Sequence, residues 1–228
     1  MKNILTLACL LVSISSFGQQ ITYEQFQQQA RTDINLQPEY GHVVKDKDHL
    51  EEDQKFIDLV LKQDTTHRKG SEHLVGLGFK YLGQGDMETA MRRFNQAWLL
   101  DPQNENVYWG FGAIYGTFSD YPNAIVQYDK GLALNTQSSV LLTDKATIYF
   151  VMYQRGHQQS NLDSALSLLT KSYGIDAQNL NTIYKLSICY FLSKDCANAQ
   201  KFYSEFIKVG GTTHADGYAD ALKKQCNN

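Results

Sequence analysis

Metal chelation, acid–base catalysis and phosphate binding each need particular side chains at particular spacings. The chain has the side chains without the spacings. Its six histidines are His42, His49, His67, His73, His157 and His214, and none stands in the H-E-x-x-H pattern or at another spacing that would turn two ligands toward one metal. Asp46, Asp48, His49, Glu51, Glu52 and Asp53 crowd together along the sequence. Wound into a helix they point all around the axis, so a solvated first turn favoured by the helix dipole explains them better than a ligand cluster. Gly76-Leu77-Gly78 and Gly83-Gln84-Gly85 could suggest phosphate-cradling loops, but no strand pattern precedes either. No Ser, Cys or His stands in the context of a nucleophile with its base. No catalytic residue, metal or cofactor is therefore expected.

The four cysteines, Cys9, Cys189, Cys196 and Cys226, pose a question of compartment. Residues 1–18 read as a cleavable export signal: Lys2 gives a positive start, Ile4 to Ile14 an apolar run, and Ser16-Phe17-Gly18 a small-x-small cleavage pattern. The apolar run is too short to span a bilayer, and no later stretch approaches the roughly eighteen apolar residues a span needs. The ending Ser-Phe-Gly-Gln-Gln resembles the export signals of Gram-negative bacteria of the Bacteroidota type. A periplasmic or secreted location is expected, which removes Cys9 and places the other three cysteines where disulfides persist. The formal charge of −3 is too mild to suggest nucleic acid or an anionic membrane as partner. Three prolines and the scarcity of alternating β-branched residues argue against an all-β fold.

The elements that must position any site follow from one period. Leu74, Leu77, Gly78, Tyr81, Ala90, Phe94, Ala97 and Pro102 are each followed thirty-four residues later by Tyr108, Phe111, Gly112, Tyr115, Ala124, Tyr128, Gly131 and Thr136. The small residues Gly78 and Ala90 allow two antiparallel helices to cross closely, and the bulky ones fill the space around the crossing. Gly83-Gln84-Gly85 makes the turn, with Asp86 as N-cap of the second helix. Asp120 repeats that cap one period later, with Pro122 in the first turn.

This order of bulky, small and aromatic residues resembles the tetratricopeptide repeat. The resemblance implies an all-α, right-handed superhelical solenoid of about four helix-turn-helix units between capping helices. Residues 19–45 would form a short helix capped by Thr22 and Gln25, then a loop. Residues 46–70 would form an N-terminal capping helix or degenerate repeat with Leu50, Phe56, Ile57, Val60 and Leu61 as its apolar face. The repeats would cover residues 71–104, 105–138, 139–179 and 180–213, and residues 214–228 a C-terminal capping helix with Tyr218, Ala221 and Leu222 turned inward. The third repeat starts on schedule at Leu142, Ala146 and Tyr149, but Ala165 follows Ala124 by forty-one residues. Seven residues are thus inserted near Tyr153 to Asn161, either as a surface extension or as a contact made for a partner.

In tetratricopeptide arrays the first helices line the concave surface, so the resemblance implies a groove built from matching positions of each repeat. Here those positions hold Val75, Phe79, Leu82, Asn106, Trp109 and Ala113, then Thr143, Thr147, Phe150, Asn181, Tyr184 and Ile188. This surface is apolar and aromatic with a few amides. It implies a non-catalytic adaptor or scaffold that takes another protein or peptide into its groove. A homo-oligomeric assembly protein and a glycan-associated envelope accessory are the alternatives left open. The N-terminal segment covering the groove is a further one. A disulfide, if one forms, is expected between Cys196, at the start of a second helix, and Cys226, at the end of the cap helix lying against it. Three reduced thiols are the alternative.

Overall fold

The computed structural model describes residues 21–212 and 217–226; the export signal expected over residues 1–18 lies outside them, as do residues 213–216 and 227–228. Within the described residues the chain is all-α. Helix α1 (Tyr23–Ala30) is followed by two tight turns and then α2 (Lys47–Asp64). Four antiparallel hairpins come next: α3 (His67–Gly83) with α4 (Met87–Leu100), α5 (Glu105–Thr117) with α6 (Tyr121–Leu134), α7 (Ser139–Gly156) with α8 (Gln159–Ile175), and α9 (Leu180–Leu192) with α10 (Cys196–Lys208). Helix α11 (Tyr218–Cys226) closes the row.

The hairpins are set at their turns. The Asp86, Asp120 and Asp195 side chains accept from the backbone N–H groups of Thr89, Asn123 and Asn198, capping α4, α6 and α10. The residue before each cap, Gly85, Ser119 or Lys194, is left-handed, which reverses the chain between antiparallel helices. Between hairpins Asp101, Asn135 and Asp176 each accept from the backbone N–H two residues on, an Asx turn recurring in register with the repeats. The third hairpin departs from this scheme. His157 is its left-handed residue, and Gln158 stands at the N-cap of α8 without a side-chain bond. Its extra residues lengthen both helices, so α7 has 18 residues and α8 has 17.

Close packing begins at the crossings. The Phe94 ring is fully buried between Gly78 of its own hairpin and Gly110 of the next, where a Cβ at either glycine would come within 3.0 Å of three ring atoms. The seams also carry a polar thread. Asn104 Nδ2 donates to Ser71 Oγ at 2.8 Å, and that hydroxyl donates to the Ala97 carbonyl. Two seams on, between the third and fourth hairpins, the hydroxyls of Thr143, Ser172 and Thr182 bond to one another. Buried hydroxyls paired in this way avoid the penalty of unsatisfied groups and fix the register of neighbouring hairpins.

Successive first helices pack directly on one another, α3 on α5, α5 on α7 and α7 on α9, whereas α4 and α6 barely meet. The row therefore bends toward its first helices, and the second helices splay on the outer side. The N-terminal segment bridges the splay between α4 and α6. Asn95 of α4 donates from Nδ2 to the carbonyls of Asn35 and Gln37 at 2.8 Å and accepts from the Tyr40 N–H. Arg92 pairs with Asp33 at 2.6 Å, Lys130 with Glu39, and the Tyr23 hydroxyl donates to Asp120. Residues 35–42 thus form tight turns rather than an open loop. Consecutive 3-10 turns there include a left-handed run at Glu39, Tyr40, Gly41 and His42.

Two expected core positions are corrected. Leu50 of α2 is 56 % exposed, because α2 meets the row mainly through Phe56, Ile57 and Val60. Ala221 of α11 faces solvent, since the side of that short helix turned inward carries Tyr218, Leu222 and Cys226.

Candidate functional site: the concave face

The inner face is organised around Trp109. Helix α5 sets its indole against Phe79 of α3, with ring centroids 4.1 Å apart, and Phe79 in turn meets the buried Phe94 edge-on at 5.2 Å. Trp109 Nε1 donates to Asp144 Oδ2 of α7 at 2.6 Å. Three successive first helices thus contribute one continuous array of ring, indole and carboxylate. Beside it, Ala113, Thr147 and Val151 line a cavity of about 320 Å³ between α5 and α7, floored by Tyr128 and edged by Asp144. Thr147 Oγ1 is tied to the Thr143 carbonyl at 2.8 Å, which leaves its methyl as the surface it can offer.

Charge is placed farther along the same face. Lys185 of α9 donates to Asn181 Oδ1 at 2.6 Å, and burial pushes its ammonium below the usual lysine range against the opposing pull of the Asp144 charge. Cys189, one turn on, is fully buried, and burial pushes its thiol up to about 12, which makes it an inert core group.

The positions expected to line the groove divide into three sets. Phe79, Asn106, Trp109, Ala113 and Thr147 gather around α3, α5 and α7, partly exposed. Leu82 and Phe150 are also partly exposed but lean on the cores of the first and third hairpins, while Asn181 is exposed and holds Lys185. Val75 and Thr143 leave the groove altogether. At 6 % and 1 % exposure they fill the seams, where α3 and α7 turn toward their neighbours rather than inward. Tyr184 and Ile188 are occupied from the side. The Tyr184 ring lies 4.9 Å from Phe206 and meets Tyr218 of α11 edge-on, and Ile188 joins the same cluster with Tyr218 and Leu222. The Cys196–Cys226 bond, with Cα atoms 5.3 Å apart, holds α11 in that place. The N-terminal segment lies on the outer helices and leaves Trp109 uncovered.

Asp144 was missed by position counting because it sits one place beyond the position that Trp109 occupies in its own repeat. A search for partners one repeat plus one residue away would have found it. Among the described residues no group of three or more His, Cys, Asp or Glu could hold a metal, and no helix is long and apolar enough to cross a membrane.

Stacked helix hairpins with glycine crossings, Asp-capped second helices and an inner face of first helices define the tetratricopeptide-repeat fold, and the chain has that fold. Solved structures agree. PilF of Pseudomonas aeruginosa is similar over 69 % of this chain and 72 % of its own, at 16 % identity and a TM-score of 0.57. A thermophilic TPR protein of Thermus thermophilus, TTC0263, matches over 68 % and 79 % at 13 % identity and 0.55. MamA matches over 73 % and 96 % at 19 % identity and 0.51. No family model matches the sequence, and no curated protein does so either.

Proposed function

We propose that the chain is a non-catalytic binding scaffold that holds a segment of another protein along its concave face, within the cell envelope. The Phe79–Trp109–Asp144 array carries this reading. A rigid aromatic pair beside a cavity suits an apolar side chain of a peptide, the kind of anchor that dominates protein interfaces. The carboxylate at the cavity edge is positioned to accept from that peptide's backbone N–H or from a basic neighbour. Backbone amides and one inserted side chain would give affinity without any chemical step. The Cys196–Cys226 bond supports an oxidising compartment, since such bonds persist where thiols are not kept reduced.

Co-purification from envelope extracts, with the mature chain as bait, tests the reading through its variants. Trp109→Ala removes the anchor and Ala113→Glu blocks the cavity. Each should weaken capture of the retained protein roughly thirtyfold or more, with helicity unchanged. Undiminished capture by both variants would remove the groove from the account. Self-assembly through the same face is the competing reading, and a monomer in light scattering at micromolar concentration disposes of it.

A further inference from the structure

A second, larger cleft lies on the opposite side of the molecule. Where α4 and α6 splay apart, the N-terminal segment bridges the gap without filling it, and a space of about 560 Å³ remains between α1, the left-handed turn and α6. This volume falls in the range of small-molecule pockets. At its floor is Gln127 of α6, only 7 % exposed, whose Oε1 is buried with no hydrogen-bond partner. Buried amide oxygens are normally satisfied, so this one is an open position for a donor. At the rim stands Arg31, whose side chain has no hydrogen-bond or ion-pair partner among the described residues. The remaining charges are committed: Lys130 pairs with Glu39, and His42 Nε2 lies 3.4 Å from the same carboxylate. One cation is therefore left over, facing the cleft. Phe26, Leu36 and Tyr115 supply apolar wall between the two ends.

The wall carrying Glu39 is itself unusual. Glu39, Tyr40 and His42 hold φ values of 58°, 54° and 54°, a region that L-residues avoid unless the surroundings impose it, and one that concentrates at ligand clamps. Asn95 and Lys130 impose it here.

We propose that this cleft binds a small carboxylic acid that also carries an amino or hydroxyl group. The carboxylate pairs with Arg31, and the N–H or O–H donates to Gln127 Oε1. This site is independent of the concave groove and faces away from it.

Isothermal titration of the mature chain with the common L-amino acids, and with L-lactate and L-malate, tests the proposal. At least one of these probes should bind with Kd at or below about 1 mM. Arg31→Ala, at an exposed position that the fold does not need, and Gln127→Leu should each weaken that binding about tenfold or more, while Trp109→Ala leaves it unchanged. Binding by amino acids alone, or by hydroxy acids alone, supports the site and fixes the second group. No binding by any probe at about 10 mM, or equal binding by wild type and Arg31→Ala, overturns it. If Gln127→Leu fails to fold, Arg31→Ala still decides.

Discussion

Two nearby glycines of α3, Gly76 and Gly78, should respond differently to the same substitution. Replacing a helical glycine by alanine removes backbone freedom from the unfolded chain and stabilises a helix interior by about 0.8–1.0 kcal/mol. At Gly76 an added Cβ meets nothing within 4 Å, so Gly76→Ala should realise that gain in full. At Gly78 the new methyl would press on the Phe94 ring, which is fully buried and pinned from the far side by Gly110. Overpacking a tight core typically costs about 1–3 kcal/mol. Gly78→Ala should therefore come out between neutral and about 2 kcal/mol destabilising, and about 1–3 kcal/mol below Gly76→Ala. The disturbance should also reach the groove, because Phe94 supports Phe79 and Phe79 supports Trp109. Urea unfolding followed by far-UV circular dichroism gives both values. A double mutant with Phe94→Leu, which replaces the ring by a smaller side chain, should recover part of the loss and give a measurable coupling. If Gly78→Ala stabilises as much as Gly76→Ala, with no coupling to Phe94→Leu, the close crossing assigned to this residue is wrong.

Other perturbations reach other parts of the fold. Cys196→Ser opens a loop closed over a separation of 30 residues and should lower stability by about 3–4 kcal/mol, read as a lower urea midpoint that reductant reproduces in the wild type. Asn95→Ala deprives two carbonyls and one N–H of the N-terminal segment of their partner. It should cost about 2 kcal/mol or more and speed proteolysis between Tyr40 and Lys45, while leaving the hairpins protected. Burial pushes the carboxyls of Asp33, Glu105 and Asp120 up, but hydrogen bonds from Asn35, Arg68 and Tyr23, with further partners of each, outweigh it and hold all three below the ordinary range. Their folded values lie below the unfolded ones, so the stabilisation is complete above about pH 5 and is lost as pH falls through the folded values. The melting temperature should drop steadily from about pH 5 to pH 3, and the drop should shrink in Asp120→Asn; a flat profile would contradict the assigned contacts.

Much of the scaffold was legible because the repeat writes the same packing problem several times. Gly78 over Gly112 and Ala90 over Ala124 mark crossings where only small side chains fit, and Asp86 over Asp120 marks the caps; tertiary structure reads these positions directly. The groove was less legible, since a repeat position fixes which helix face a residue occupies only to within a side chain. Val75 and Thr143 share that face by counting yet turn into the seams, while Asp144, one position over, turns inward to the indole. Tyr184 and Ile188 obey the repeat but are taken up by α11, because the last repeat has no successor and its cap must cover apolar surface. The docking of residues 33–45 on α4 and α6 left no periodic trace. It depends on Asn95, Lys130 and Arg92, ordinary outward-facing residues of second helices, and on left-handed backbone at Glu39 and Tyr40 that nothing in their side chains requires.

The two tryptophans offer the most direct test of the concave binding face. Trp109 lies in the groove against Phe79 and Asp144, and Trp98 lies toward the outer side, near Tyr40 and bonded to the Tyr108 hydroxyl. With 5-fluorotryptophan incorporated, adding the captured partner should shift or broaden the Trp109 fluorine resonance and leave that of Trp98 in place. A response confined to Trp98, or none at either indole under saturating partner, would contradict binding in the groove.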